Sequence, residues 1–269
     1  MHPMLINAVK AAREAGRIIN KASNDVGALT IQSKDYNDFV TEVDRSAEQA
    51  IIDTLTYAYP DHGFLGEESG NTNTQSENIW IIDPLDGTTN FLHNFPQYSV
   101  SIALQQKGVL TQAVIYDPIR NDLFTATKGR GAFLNDKRIR VANRGKLQSA
   151  LIATGFPYKD FTQLDTYMAM LKDMIKNTAG IRRPGSAALD LAYVAAGFTD
   201  GFFELNLSSW DIAAGGLLVQ EAGGIVGDFE GNESWLTTGN IVAANPKIFS
   251  QMLQVLSPHL TIAQKTQFG

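Results

Sequence analysis

Trp80-Ile-Ile-Asp-Pro-Leu-Asp-Gly-Thr-Thr-Asn90 passes from apolar to polar within one short segment. Its leading residues, with Ile79 before them, read as a buried strand. Asp83 and Asp86 follow at the carboxyl end of that strand, where a layered sheet exposes its loops. Pro84 fixes the turn between them and removes a backbone donor. Two carboxylates confined there repel each other unless a cation neutralises them, and hard Mg²⁺ prefers oxygen ligands, among which the Leu85 carbonyl is placed to serve. Gly87-Thr88-Thr89 then offers backbone N–H groups and hydroxyls as an anion cradle at a helix start. The bland alternative is a polar turn, because Asp-Pro and Asp-Gly are common turn dipeptides. That alternative suffices for an isolated D-x-x-D-G and fails for the whole string.

Working outward, Pro3 opens an amphipathic helix carrying Leu5, Val9, Ala12, Ala15 and Ile19. A second helix starts near Thr41 and stops before Pro60, with Ala47, Ile51, Ile52 and Leu55 inward. The polar stretch between them, Gln32 to Asp38, reads either as a connector or as a loop that closes over the site with Lys34. Beyond the central segment, antiparallel strands are expected at Val100–Leu104, Gln112–Tyr116 and Leu123–Ala126. From about residue 150, strands (Ala150–Ala153, Gly201–Leu205, Ile225–Asp228, Ile241–Ala243) alternate with helices (Asp165–Lys176, Ser186–Ala196, Ile212–Glu221 and one opening at Pro246). The order predicts a layered architecture of helices and sheets. Its two halves, 1–145 and 146–269, would pack as one compact unit.

Composition narrows the class. A chain of 269 residues with 44% hydrophobic and 19% charged residues buries a substantial core and is not a disordered polymer. Its net charge of −6 argues against non-specific nucleic-acid binding over the whole surface. No cysteine is present, which excludes disulfides and thiolate metal sites. No apolar run reaches membrane-spanning length, and Lys10, Arg13 and Glu14 interrupt any signal-peptide core, so a cytoplasmic protein is expected.

Further motifs surround the central one: Gly66-Glu-Glu-Ser-Gly70, Arg182-Arg-Pro-Gly-Ser-Ala-Ala-Leu-Asp-Leu-Ala-Tyr193, and Trp210-Asp211 with Glu221-Ala-Gly-Gly224 downstream. In order and spacing the chain resembles the inositol monophosphatase family, in particular its bacterial SuhB-type members. The resemblance implies an α+β fold, the layered αβαβα sandwich of the inositol monophosphatase and fructose bisphosphatase type. It implies two to three Mg²⁺ ions (or Mn²⁺) held by Glu67, Asp83, the Leu85 carbonyl, Asp86 and Asp211. Each has a bland alternative: Glu67 as a loop carboxylate, Asp211 as a helix N-cap. Thr88 would orient the attacking water and be held by Asp44, with Glu67 as a further catalytic carboxylate, although Thr41-x-x-Asp44 is also a capping-box pattern. On the substrate side the resemblance implies Glu204, Arg182, Gly185, Ser186 and Ala187, bordered by Glu67, Leu85, Asp86, Gly87, Thr88 and Asp211. Pro184 replaces a threonine of related enzymes, and Ser208 stands where animal enzymes carry histidine, so the rim of the pocket differs.

The activity so implied is hydrolysis of inositol monophosphate and related small sugar or polyol phosphate monoesters by direct attack of a metal-activated water. Lithium sensitivity and a homodimer come with the resemblance. A second role also comes with the SuhB type: transcription antitermination on ribosomal RNA operons through Nus factors and RNA polymerase. Lys128, Arg130, Lys137, Arg138, Arg140, Arg144 and Lys146 face a single acid, Asp136, in one run that suits RNA or an acidic partner. A solvated hairpin edge guarded by charge is the bland alternative.

Overall fold

The computed structural model describes residues 2–28, 31–35, 38–73, 75–157 and 161–260. Helix α1 (Pro3–Ala22) is capped by the His2 side chain and buries Leu5, Ala8, Ala12, Ala15 and Ile19 along one stripe. Strands β1 (Ile31–Asp35) and β2 (Asp38–Thr41) pair antiparallel, so the stretch expected to be a connector or loop is a ribbon. This ribbon joins neither of the larger sheets. The Lys34 side chain lies outside the described residues. Helix α2 (Glu42–Ala58) follows a Thr41/Asp44 capping box.

Strands β3 (Gly63–Gly66), β4 (Gly70–Thr72) and β5 (Asn78–Asp86) lead into the short helix α3 (Thr88–Leu92). Then β6 (Ser99–Gln106), β7 (Val109–Asp117), β8 (Asp122–Thr127), β9 (Gly131–Leu134) and β10 (Lys137–Arg138) complete an eight-stranded sheet ordered β10-β9-β8-β7-β6-β5-β3-β4. Only the β3–β5 pair is parallel in it. The remaining chain forms β11 (Leu151–Thr154), α4 (Leu164–Asn177), β12 (Gly180–Arg182), α5 (Ala187–Ala195), β13 (Gly201–Glu204), α6 (Ser209–Glu221), β14 (Ile225–Gly227), α7 (Trp235–Thr238), β15 (Ile241–Ala244) and α8 (Pro246–Leu256). Its five strands are ordered β12-β11-β13-β15-β14.

Strand alternation sorts the side chains into layers. Trp80, Ile82, Val100, Ile102 and Val114 face α1 and α2, whereas Ile81, Ala103, Ala113 and Ile115 face Leu189, Ile212 and Leu217 of α5 and α6. Those helices also meet Phe202, Ile241 and Ala243 on the near face of the smaller sheet. Its far face, Ile152, Phe203 and Val242, packs on Tyr167 and Met170 of α4 and Met252 of α8. The result is an αβαβα stack. Burial on both sides explains why α6 is apolar nearly all round. Gly215 and Gly216 let it pack closely: a Cβ would sit 2.5 Å from the Leu191 side chain at the first and 2.3 Å from Trp235 at the second.

Candidate active site

On a regular strand, residues three apart point to opposite faces. Asp83 and Asp86 escape that rule through a bulge. Asp83 pairs with Ser101 and Asp86 with Ser99, so three steps along β5 match two along β6. The extra residue turns Asp86 back to the face of Asp83, toward α5 and α6, and sends Leu85 into the core under α1 and α2. Pro84 falls in the irregular stretch, where its missing N–H costs nothing. Gly87 then takes φ 100°, and a Cβ there would meet the Gln97 and Gly185 carbonyl oxygens at 2.9 and 3.2 Å.

Other elements bring the remaining acids. Asp211 is the third residue of α6; its carboxylate accepts the Ser208 N–H at 2.7 Å, so it closes a capping box rather than serving as the N-cap itself. Asp83, Asp86 and Asp211 can each offer an oxygen within 4.8 Å of the others, a cluster able to hold a metal ion. Parallel pairing of β3 with β5 sets Glu67 beside the same strand end, with its N–H on the Ile82 carbonyl at 3.2 Å. Buried Glu48, on the inner side of α2, fixes that loop by accepting the Glu68 and Ser69 N–H groups at 3.0 and 2.7 Å. A carboxylate among Ala47, Ile51 and Leu55 was the signal for such a role, and the sequence reading passed over it.

Electrostatics favour a cation at this point. Burial pushes the Asp83 carboxyl well above its ordinary range, and the charges of Glu67, Asp86 and Asp211 push it further. Burial pushes Asp86 up to about 6 although the Ser186 hydroxyl and the Ala188 N–H, at 2.8 Å, both donate to it at the head of α5. Glu204 is pushed up to about 8, again by burial, with Arg183 opposing. Among the described residues, Arg183 is the only cationic side chain lining the cleft of about 300 Å³ into which these groups open. An all-oxygen donor set with this deficit of positive charge fits a hard divalent ion.

Thr88 lines the cleft and meets Asp44, a fully buried carboxylate behind it that does not line the cleft. The Thr88 hydroxyl lies 3.1 Å from both Asp44 Oδ1 and the Leu85 carbonyl, and its single proton serves one of them at a time. The other Asp44 oxygen accepts from Thr41 N–H and Oγ1 at 2.8 and 2.6 Å. One carboxylate therefore both caps α2 and holds Thr88. Burial raises its pKa, with the Thr41 and Thr88 hydrogen bonds opposing.

Glu67, Asp83, Leu85, Asp86, Gly87, Thr88, Gly185, Ser186, Ala187, Glu204 and Asp211 all line the one cleft. Arg182 does not: it is exposed, and its guanidinium donates to the Ile181 carbonyl at 3.0 Å. Its neighbour Arg183 lines the cleft instead, 5.3 Å above the Phe156 ring. Asn90 and Asp190, which lie inside the quoted motifs but were given no role there, and Thr154 and Gly155, which lie in none, also line it. Gly155 is explained by contact, since a Cβ there would fall 2.0 Å from the Glu204 carboxylate. The Asn90 amide donates to the Gln97 and Pro184 carbonyls at 2.7 and 2.9 Å, tying α3 to the loop before α5.

Helices on both sides of two sheets, with an acidic cluster where β5, α5 and α6 converge, define a class known among sequenced and solved proteins. The inositol monophosphatase family model matches residues 1–260. The chain belongs to the inositol monophosphatase family. It is 51% identical to the Nus factor SuhB of Pseudomonas aeruginosa over 265 residues, covering 97% of this chain and 98% of that one. The suhB extragenic suppressor protein of Bartonella henselae superposes with TM-score 0.93 at 45% identity, over 96% of this chain and all of the other (100%). Inositol monophosphatase from Anabaena superposes with TM-score 0.83 at 35% identity, over 96% and 97% of the two chains. Among the described residues no helix is long and apolar enough to cross a membrane.

Proposed function

We propose that this chain is a Mg²⁺-dependent phosphatase acting on inositol monophosphate and related small polyol phosphates. The convergence of Asp83, Asp86 and Asp211 within 4.8 Å, beside the Gly87–Thr88 backbone, carries this reading. Asp83, Asp86, Asp211, Glu67 and the Leu85 carbonyl would hold the ions. When bound, these supply charge neutralisation at the phosphoryl oxygens and make water acidic enough to attack.

The chain's own groups do the rest. With its proton directed to Asp44, the Thr88 oxygen presents lone pairs to the cleft and can orient a water for in-line attack. Gly87 at the N-cap of α3 makes no side-chain cap hydrogen bond, and the first backbone N–H groups of that turn would serve an anion there. Arg183 and Glu204 stand on the wall open to the alcohol. Phosphate release from inositol 1-phosphate, fructose 1,6-bisphosphate, histidinol phosphate and 3′-phosphoadenosine 5′-phosphate, with and without Mg²⁺, tests the proposal. Inositol 1-phosphate is expected to be the best substrate and Mg²⁺ essential; ranking last of the four would overturn the assignment.

A second role, contact with the transcription machinery, draws support from the name of the Pseudomonas relative and from the exposed cations Lys137 and Arg138 on edge strand β10. Lys128 and Arg130 sit in the turn whose Gly129 N–H, with that of Gly131 after it, is held at 2.7 Å by Glu221. Loss of RNA polymerase co-purification in Lys137→Glu/Arg138→Glu, with phosphatase activity intact, is the expected result; unchanged co-purification would exclude this surface.

A further inference from the structure

Asp190 is nearly solvent-free, at 2% exposure, yet its Oδ1 makes no hydrogen bond. Helix α5 explains how it is placed. Ser186 caps the helix, Ala187 and Asp190 lie one turn apart on the cleft side, and Leu189 and Leu191 between and beyond them enter the core. A buried carboxylate oxygen without a partner is destabilising and rare in native structures. Glu204, at the end of β13, lines the same wall, and its charge, after burial, raises the Asp190 pKa while Arg183 opposes. An early helical position favours a negative charge through the helix dipole, but that alone gives no reason for a buried, unpaired carboxylate oxygen on a residue that lines the cleft.

Building on the phosphatase reading, we propose that Asp190 is a specificity-determining residue that accepts a hydrogen bond from a hydroxyl of the substrate's alcohol, beside Glu204. Two buried acceptors on separate elements suit a ring bearing neighbouring hydroxyls. An alkyl or aryl alcohol would leave both acceptors dry and unpaired, a penalty that discriminates far more strongly than a missing apolar contact. A hydroxyl can donate to the side chain whether it is ionised or neutral, so the recognition does not depend on its protonation state.

The test uses the full chain with Mg²⁺ and compares Asp190→Ala, which removes both carboxyl oxygens, with the unaltered protein on inositol 1-phosphate, ethanolamine phosphate and p-nitrophenyl phosphate. KM for inositol 1-phosphate is expected to rise roughly 10-fold or more, with kcat/KM for the hydroxyl-free aryl ester and the Mg²⁺ requirement held within about 2-fold. A parallel loss on the inositol and aryl esters, or no change on either, would overturn the role. So would a greater loss on ethanolamine phosphate than on inositol 1-phosphate, which would mark the site as an ammonium binder. If Asp190→Ala does not fold, Asp190→Leu fills the same space without an acceptor and gives the same comparison. An unaltered chain that cleaves none of the esters would instead refute the phosphatase reading, a result separable from a variant that merely fails to discriminate.

Discussion

Asp86 at the end of β5 and Ser186 at the head of α5 are 100 residues apart and joined by a hydrogen bond from the serine hydroxyl to the carboxylate. The Ala188 N–H donates to the same oxygen at 2.8 Å. One acid of the cluster able to hold a metal is thus oriented by a distant part of the chain, as ligands commonly are by their outer partners. Ser186→Ala removes the hydroxyl and frees Asp86 to rotate. The Mg²⁺ concentration for half-maximal phosphatase activity is expected to rise by about 10- to 100-fold, read from a Mg²⁺ titration at saturating substrate.

Asp86→Asn goes further, because it removes the charge itself. Turnover is expected to fall at least ~100-fold, while burial of a neutral amide in place of a repelled carboxylate leaves the fold intact. Phosphate release and a thermal melt measure the two halves of this prediction, and near-normal turnover would sink the assignment of the cluster.

The metal-free protein should be less stable at alkaline than at mildly acidic pH. Burial raises Asp83, Asp190, Asp86 (to about 6) and Glu204 (to about 8) above their unfolded values. Through that window the folded state holds more protons than the unfolded one, so stability falls as pH rises. The contribution is complete below the unfolded carboxylate values of about 4 and is lost on rising through the folded ones. Thermal melts of chelator-treated protein between about pH 5 and about pH 9 should show a falling Tm, and added Mg²⁺ should restore it mainly at the alkaline end. A Tm rising across that range would contradict the shifts.

Much of this arrangement was readable from side-chain pattern. The apolar run into Asp83 gave the central strand and the Thr41/Asp44 spacing gave a helix start, whereas the meeting of Asp44 with Thr88 was expected only from the family resemblance. The ribbon β1–β2 and the strands β3, β4, β9, β10 and β12 were not legible, because Gly, Asn, Lys and Arg break up the apolar run that revealed the equally short β11, β13, β14 and β15. Adjacent arginines show a second limit. Arg182 ends β12 and Arg183 follows it, and only the sheet register decides which of the two faces the cleft. Asp190 and Gly155 belong to a third kind, residues whose meaning comes from a contact across the fold.

Thr88 and Asp44 can be separated by their different second duties. Thr88→Ala removes only the hydroxyl at the cleft floor, and activity is expected to drop on the order of 10²-fold or more with little change in Tm. Thr88→Ser keeps the hydroxyl and should retain most of the activity. Asp44→Asn should lose activity as well, but it also weakens the α2 cap, with a stability cost of about 1 kcal/mol seen in denaturant unfolding. Equal Tm losses in Thr88→Ala and Asp44→Asn would show that both act only through the fold.

Gly155→Ala probes the alcohol side without touching the metal cluster. Gly155 has an ordinary backbone conformation, so alanine is tolerated there by the main chain. Its Cβ would lie 2.0 to 2.2 Å from the three terminal atoms of Glu204, a side chain that is buried and cannot swing freely. The methyl group must therefore displace the Glu204 carboxyl. KM for inositol 1-phosphate is expected to rise several-fold, on the order of 1 kcal/mol of lost binding, while the Mg²⁺ requirement stays unchanged. An altered Mg²⁺ requirement with unchanged KM would place Glu204 in the metal cluster instead of on the substrate wall.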